Sequence, residues 1–146
     1  LNPSRTDPAQ RRYKRCSIVG RCHAGIMEDE GAKRMNEISW DDFMKVELRV
    51  GRVVQAEVFA EARKPAYKLQ VDFGPVLGVR KSSAQITALY QPQDLVGRLV
   101  VAVVNFPKKQ IGPLMSECLV TGFHNADGHV ALCVPDQDVP LGTRLL

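Results

Sequence analysis

A chain of 146 residues that is 45% hydrophobic is long enough to bury one core and too apolar for a disordered polymer. No apolar run reaches the roughly 18 residues needed to cross a bilayer, so a soluble chain is expected. The net charge of +4 lies entirely in residues 1–36, with eight basic and four acidic side chains; residues 37–146 carry twelve of each, which excludes bulk charge as a guide to what the folded part binds.

Residues 1–36 combine Pro3, Pro8 and the cluster Arg11-Arg12-Tyr13-Lys14-Arg15 with no sustained helical or strand period. They lack the apolar stretch of a secretory signal, and Asp7 and Glu28-Asp29-Glu30 argue against a transit peptide. Normal domain character begins at Met35, so 1–34 reads as an upstream extension and 1–36 as a basic, poorly ordered tail. Cys16 and Cys22-His23 fit neither zinc nor haem spacing, and Cys118 and Cys133 sit in apolar runs as small hydrophobes. No metal, no cofactor and no oxidising compartment is expected.

Ser39 followed by Asp41 and Asp42 marks a helix start, with Ile38 and Phe43 placed for a hydrophobic staple. From Val46 to Val58 the even positions are apolar except Arg52, which predicts a long strand facing inward through those positions. Gly51 in its middle is the expected site of a bulge or coil that lets one strand serve two halves of a barrel. A second strand places Tyr67, Leu69, Val71 and Phe73 inward. Gly74-Pro75 turns the chain, and Leu77 and Val79 open a shorter third strand. Ser82 or Ser83 then caps a short predicted helix over 84–89, and Pro92 to Gly97 forms one further helical turn.

The run Leu99–Val104 is continuously apolar and β-branched, which predicts a strand buried on both faces. Pro107 ends it, and Lys108-Lys109 and Gly112-Pro113 form a basic loop. A strand from Met115 to Phe123, a turn at Asp127-Gly128, a strand from His129 to Val134 and a tail wrapping an edge complete the chain. The pattern predicts an all-β, five-stranded OB-type Greek-key barrel over 37–146, with short helices and an extra hairpin and tail at its end.

No nucleophile elbow, phosphate loop or metalloprotease helix is present, so no catalysis is expected. A nucleic-acid surface would use Arg49, Lys68, Lys108 and Lys109 on phosphates, with Asn105 and Ser116 as short hydrogen-bonding groups. A solvated basic turn accounts for the same lysines. An apolar client surface would use Ile111, Leu114 and Met115, the surplus left once a small barrel is filled; core and subunit interface are the alternative uses of those residues.

Phe43 to Gly51 resembles the opening signature of the tRNA-binding-domain family, found free-standing and at the ends of bacterial methionyl-tRNA synthetases. Pro65 to Leu69, Val103-Val104-Asn105-Phe106 and Ser116 match its later blocks. Glu61 to Leu69, Ser82 to Thr87 and Met115-Ser116-Glu117 are similar to the CsaA-like export chaperones within that family. Tyr67 in place of an acidic residue, the displaced Gly112 and Leu119 in place of methionine agree with that branch. The resemblance spans residues 38 to 146. It implies an OB barrel, a cytoplasmic homodimer, no membrane insertion, and as partners tRNA or other structured RNA, precursor polypeptides and SecA.

Overall fold

The computed structural model describes residues 36–146; the readings made of residues 1–35, including the basic tail and Cys16, Cys22 and His23, lie outside the described residues. Helix α1 (Trp40–Met44) starts where Ser39 Oγ accepts the Asp42 N–H at 3.1 Å. The ring of Phe43 meets Trp40 at 5.5 Å between centroids, while Ile38 stays 68% exposed.

Strand β1 (Leu48–Val58) is the long element that the alternation predicts, but its inward set differs. Gly51 and Val53 face the core, the register shifts between Val53 and Gln55, and Ala56 resumes the inward face. Val54 and Val58 are therefore 44% and 66% exposed instead of buried. The bulge lies just beyond Gly51. Gly51 itself permits a close approach: a Cβ there would stand 2.5 Å from Val71 Cγ1 and 2.7 Å from Phe73 Cε1. The strand does serve two halves. Its residues 48–52 pair with β4 (Leu99–Val103), and its residues 52–58 pair with β2 (Tyr67–Asp72).

In β2 the alternation holds as expected: Tyr67, Leu69 and Val71 are buried, and Phe73 continues the row at 1% exposure. Strand β3 (Val79–Ala84) runs past the predicted helix start. Ser82 lies opposite Leu69 in the sheet, 1% exposed, and donates its hydroxyl proton to the Cys118 carbonyl at 2.8 Å. A satisfied hydroxyl can take an inward position, which is why a serine-rich stretch forms a core strand and not a helix cap. Residues 87–89 form a turn anchored by buried Ile86, and helix α2 (Pro92–Leu95) follows with proline in its first turn. Leu95 is fully buried, and Gly97 at φ +86° ends the turn.

Strand β4 buries Val100, Ala102 and Val103, but Leu99 and Val101 are only half-buried. The expected single strand over 115–123 is divided into β6 (Leu114–Ser116), β7 (Leu119–Val120) and β8 (Gly122–His124). β6 returns from β5 (Lys109–Ile111) around the two-residue turn Gly112-Pro113, so the basic loop is the base of a hairpin. The Asp127-Gly128 turn joins β8 to β9 (Val130–Leu132), with the Asn125 side chain accepting the Asp127 and His129 N–H groups.

The five-stranded sheet has the order β3-β2-β1-β4-β7, entirely antiparallel. Its ends meet where Glu117 N–H donates to the Lys81 carbonyl at 2.8 Å and Ser82 reaches Cys118, giving the nearly closed OB-type barrel. The tail runs along the first half of β1, with Leu145 N–H on the Leu48 carbonyl and Val50 N–H on the Thr143 carbonyl.

Gly51→Ala is expected to destabilise the barrel by about 1–3 kcal/mol, since a methyl inserted among Val71 and Phe73 overpacks the core. Urea unfolding measures this. A change within about 0.5 kcal/mol, the range of an ordinary surface substitution, would mean that β1 shifts freely there.

Candidate functional site

Two open depressions flank the β5–β6 hairpin and share Ser83, Lys109 and Ile111 in their linings. The first, of about 620 Å³, is bounded by residues 61–64, by Ser83 and Gln85, and by residues 109–112. The second, of about 500 Å³, is lined by Phe106, Pro107, Lys108, Ser116, Cys118 and Leu119 besides the shared residues. Phe106 and Leu119 are 53% and 49% exposed, so the second presents apolar surface to solvent.

The hairpin sorts the predicted residues by register. Lys109 pairs with Ser116 and Ile111 with Leu114 on one face, while Gln110 pairs with Met115 on the other. The three apolar candidates therefore do not share one surface. Ile111 borders both large depressions, Leu114 borders a smaller one of about 180 Å³, and Met115 lies across the hairpin from them.

The predicted cations divide by what holds them. Lys108 Nζ is 2.9 Å from Glu117 Oε1, and the same carboxylate accepts the Lys81 N–H at 3.2 Å. Lys68 Nζ is 3.1 Å from Glu61 and 4.7 Å from the centre of the Phe59 ring. Arg49 donates to Glu47 and to the Gly142 carbonyl at 2.8 Å, and Arg144 reaches the other Glu47 oxygen at 3.3 Å. Arg49 thus fastens the tail, away from the two depressions. Asn105 is similarly engaged: its Oδ1 accepts the Glu47 N–H and its Nδ2 donates to the Lys45 carbonyl.

Among the described residues, Arg63, Lys64 and Lys109 border the first depression without a carboxylate in ion-pair reach. Arg63, Lys64, Ser83, Gln85, Phe106 and Leu119 are additions that the sequence pattern alone does not select. The charged run Glu61-Ala62-Arg63-Lys64 is the available signal for two of them, whereas Ser83 and Gln85 become visible only once β3 is placed. Burial pushes the Cys118 thiol up to about 11, leaving it protonated at neutral pH and a poor nucleophile.

The family described as "Putative tRNA binding domain" matches residues 48–144. The chain is similar to the CsaA chaperone of Bacillus anthracis str. Ames, with 46% identity and a TM-score of 0.71 over 76% of this chain and 100% of that one. It is similar to the CsaA chaperone protein of Picrophilus torridus, with 44% identity and a TM-score of 0.70 over 75% and 100%. It is 38% identical over 119 residues to the methionine–tRNA ligase of Bacillus subtilis (strain 168), covering 81% of this chain and 17% of that one. The chain thus spans less than a fifth of the length of the curated ligases it matches.

The Glu117 carboxyl is held below its ordinary value of 4.5, first by Lys108 and next by the Lys81 N–H. A carboxyl depressed in the folded state stabilises the fold above its unfolded pKa, and that contribution fades as pH falls through the folded value. Glu117→Gln is therefore expected to lose less of its urea midpoint between pH 7 and pH 3 than the wild type does. Equal losses in the two proteins would assign the acid sensitivity to other carboxylates.

Proposed function

The chain belongs to the tRNA-binding-domain family, and from that premise we propose that it is a non-catalytic, CsaA-like chaperone that binds unfolded precursor polypeptides for export. In this reading the partners are precursor segments and SecA, and the protein works as a cytoplasmic homodimer. The single observation that carries it is the exposed apolar pair Phe106 and Leu119, bordering a depression of about 500 Å³ beside Ile111 and Lys109. An adaptable apolar surface with a cationic flank suits a partly unfolded chain, because apolar burial supplies affinity without demanding one sequence.

The dimer is supported by a second apolar surface that shares no residue with the two depressions. Leu48, Val50 and Val101 face outward under the tail, and with Val134, Val139 and Leu145 they border a cavity of about 420 Å³. Val134 and Leu145 in this lining remain 47% exposed each. Among the described residues no helix is long and apolar enough to cross a membrane.

A second reading, structured RNA as ligand, is favoured by Arg63, Lys64 and Lys109, whose charges are available to phosphates. Phe106 is the exposed aromatic in the groove, a single stacking surface where single-strand readers use several.

Suppression of aggregation of a urea-unfolded export precursor tests the chaperone reading. Leu119→Ser with Phe106→Ala is expected to abolish most of the suppression, whereas Lys64→Ala with Lys109→Ala leaves it largely intact. Full suppression by the apolar double variant would overturn the reading. The same lysine double variant is expected to weaken RNA binding and to lower its salt slope by about 0.7–0.9 for each phosphate no longer neutralised. A gel shift over a salt series measures that.

Light scattering is expected to give twice the chain mass at micromolar concentration. Val134→Asp, which sets a charge into the exposed part of that surface, should yield monomer; a dimer unaffected by that change would place the interface elsewhere.

A further inference from the structure

Among the described residues, strand β5 has a backbone partner on one side only. Ile111 and Leu114 flank a two-residue turn and so form a hydrogen-bonded pair, which makes the next pair, Gln110 and Met115, non-hydrogen-bonded. The Gln110 N–H and C=O therefore point away from β6. Among the described residues no other backbone group bonds to them. Gln110 borders the depression of about 620 Å³, together with the rest of 109–112 and with loop residues 61–64. The three residues of β5 offer an edge roughly 10 Å long, at about 3.3 Å per residue.

The surroundings of that edge carry a sign. Arg63, Lys64 and Lys109 border the same depression, and its one carboxylate, Glu61, is held by Lys68 at 3.1 Å. An open strand edge beside free cations is complementary to an extended polypeptide with acidic side chains at alternate positions.

We propose that such an acidic, extended segment adds to β5 as a third strand, taking the Gln110 N–H and C=O as its main-chain partners. The inference rests on the polypeptide-binding reading of the neighbouring depression, which shares Ser83, Lys109 and Ile111 with this one, and adds a further contact for acidic segments of the same client. Main-chain pairing is indifferent to most side chains, so it gives affinity across many client sequences, while the cations select among them by charge. RNA has no peptide ladder with which to meet this edge.

The test uses the full chain and a fluorescein-labelled octapeptide of alternating Glu and Val. A second octapeptide of the same sequence is N-methylated at alternate residues, which removes main-chain donors and keeps every side chain. Fluorescence polarisation is expected to show about tenfold weaker binding of the methylated peptide, as the loss of one or two hydrogen bonds implies. Gln110→Pro removes the outward N–H and leaves the β5–β6 ladder its bonds, since proline is accepted on an edge strand whose N–H faces outward. That variant is expected to bind the parent peptide about tenfold more weakly, whereas Gln110→Ala, with the backbone intact, stays within about twofold.

Equal binding of the two peptides by the wild type would overturn strand addition, and that measurement stands even where Gln110→Pro does not fold. Equal losses in Gln110→Ala and Gln110→Pro would overturn it also, by assigning the contact to the side chain. Failure of the wild type to bind the parent peptide would overturn it too. In each of these cases, aggregation suppression that still depends on Phe106 and Leu119 would leave the chaperone reading standing. Loss of that dependence as well would remove both.

Discussion

The seam between β3 and residues 116–118 holds the barrel closed, and the surface proposed to bind is built on its outside. Ser82 donates inward to the Cys118 carbonyl, while the Lys81 carbonyl accepts the Glu117 N–H and the Lys81 N–H donates to the Glu117 carboxylate. Alternation along β3 then turns Ser83 outward into both depressions, and the same seam presents Ser116 and Leu119 beside Phe106. A change that loosened the seam would move the walls of the groove with it. The buried Ser82 hydroxyl is therefore as much a determinant of the groove's shape as any residue facing it, because an unpaired polar group at that depth would strain the closure.

Charge on this domain is divided between structural and available groups, a division that counts of Lys and Arg conceal. Arg49 and Arg144 share the two oxygens of Glu47 and hold the tail against β1. Lys68 and Lys108 each have a carboxylate close by, at exposures where such pairs contribute little stability but do cancel local charge. What remains beside the groove is a small excess from Arg63, Lys64 and Lys109, on a domain whose basic and acidic side chains balance.

The barrel was legible in the sequence where burial on one face imposed period two, as in Tyr67 to Phe73. It was also legible at glycine-marked turns such as Asp127-Gly128. It was obscured where a core position carries a polar atom. Ser82 reads as a helix cap because its acceptor, the Cys118 carbonyl, comes from the link between β6 and β7, far along the chain. β1 misled differently: its bulge shifts the inward set, and its outward Leu48 and Val50 are apolar because the tail covers them. Of the site, the hairpin cations Lys108 and Lys109 were visible as a motif. The engagement of Arg49 and Asn105 by remote backbone was not, since a side chain's partner is a tertiary fact. The family resemblance was carried by blocks that mix both kinds of residue, and so it identified the fold without sorting ligand contacts from scaffold.

The two halves of β1 differ in when they can form. Residues 52–58 meet β2 across a single short connection, and β3 follows at once, so a local three-strand meander assembles at small cost in loop closure. Residues 48–52 must wait for β4, and the contact of Arg49 with the Gly142 carbonyl spans 93 positions. Such long-range pairings slow folding, and until they form Leu48 and Val50 stand uncovered on an unfinished strand. An unfinished first half of β1 combines apolar side chains with unpaired backbone, the combination by which incomplete chains aggregate.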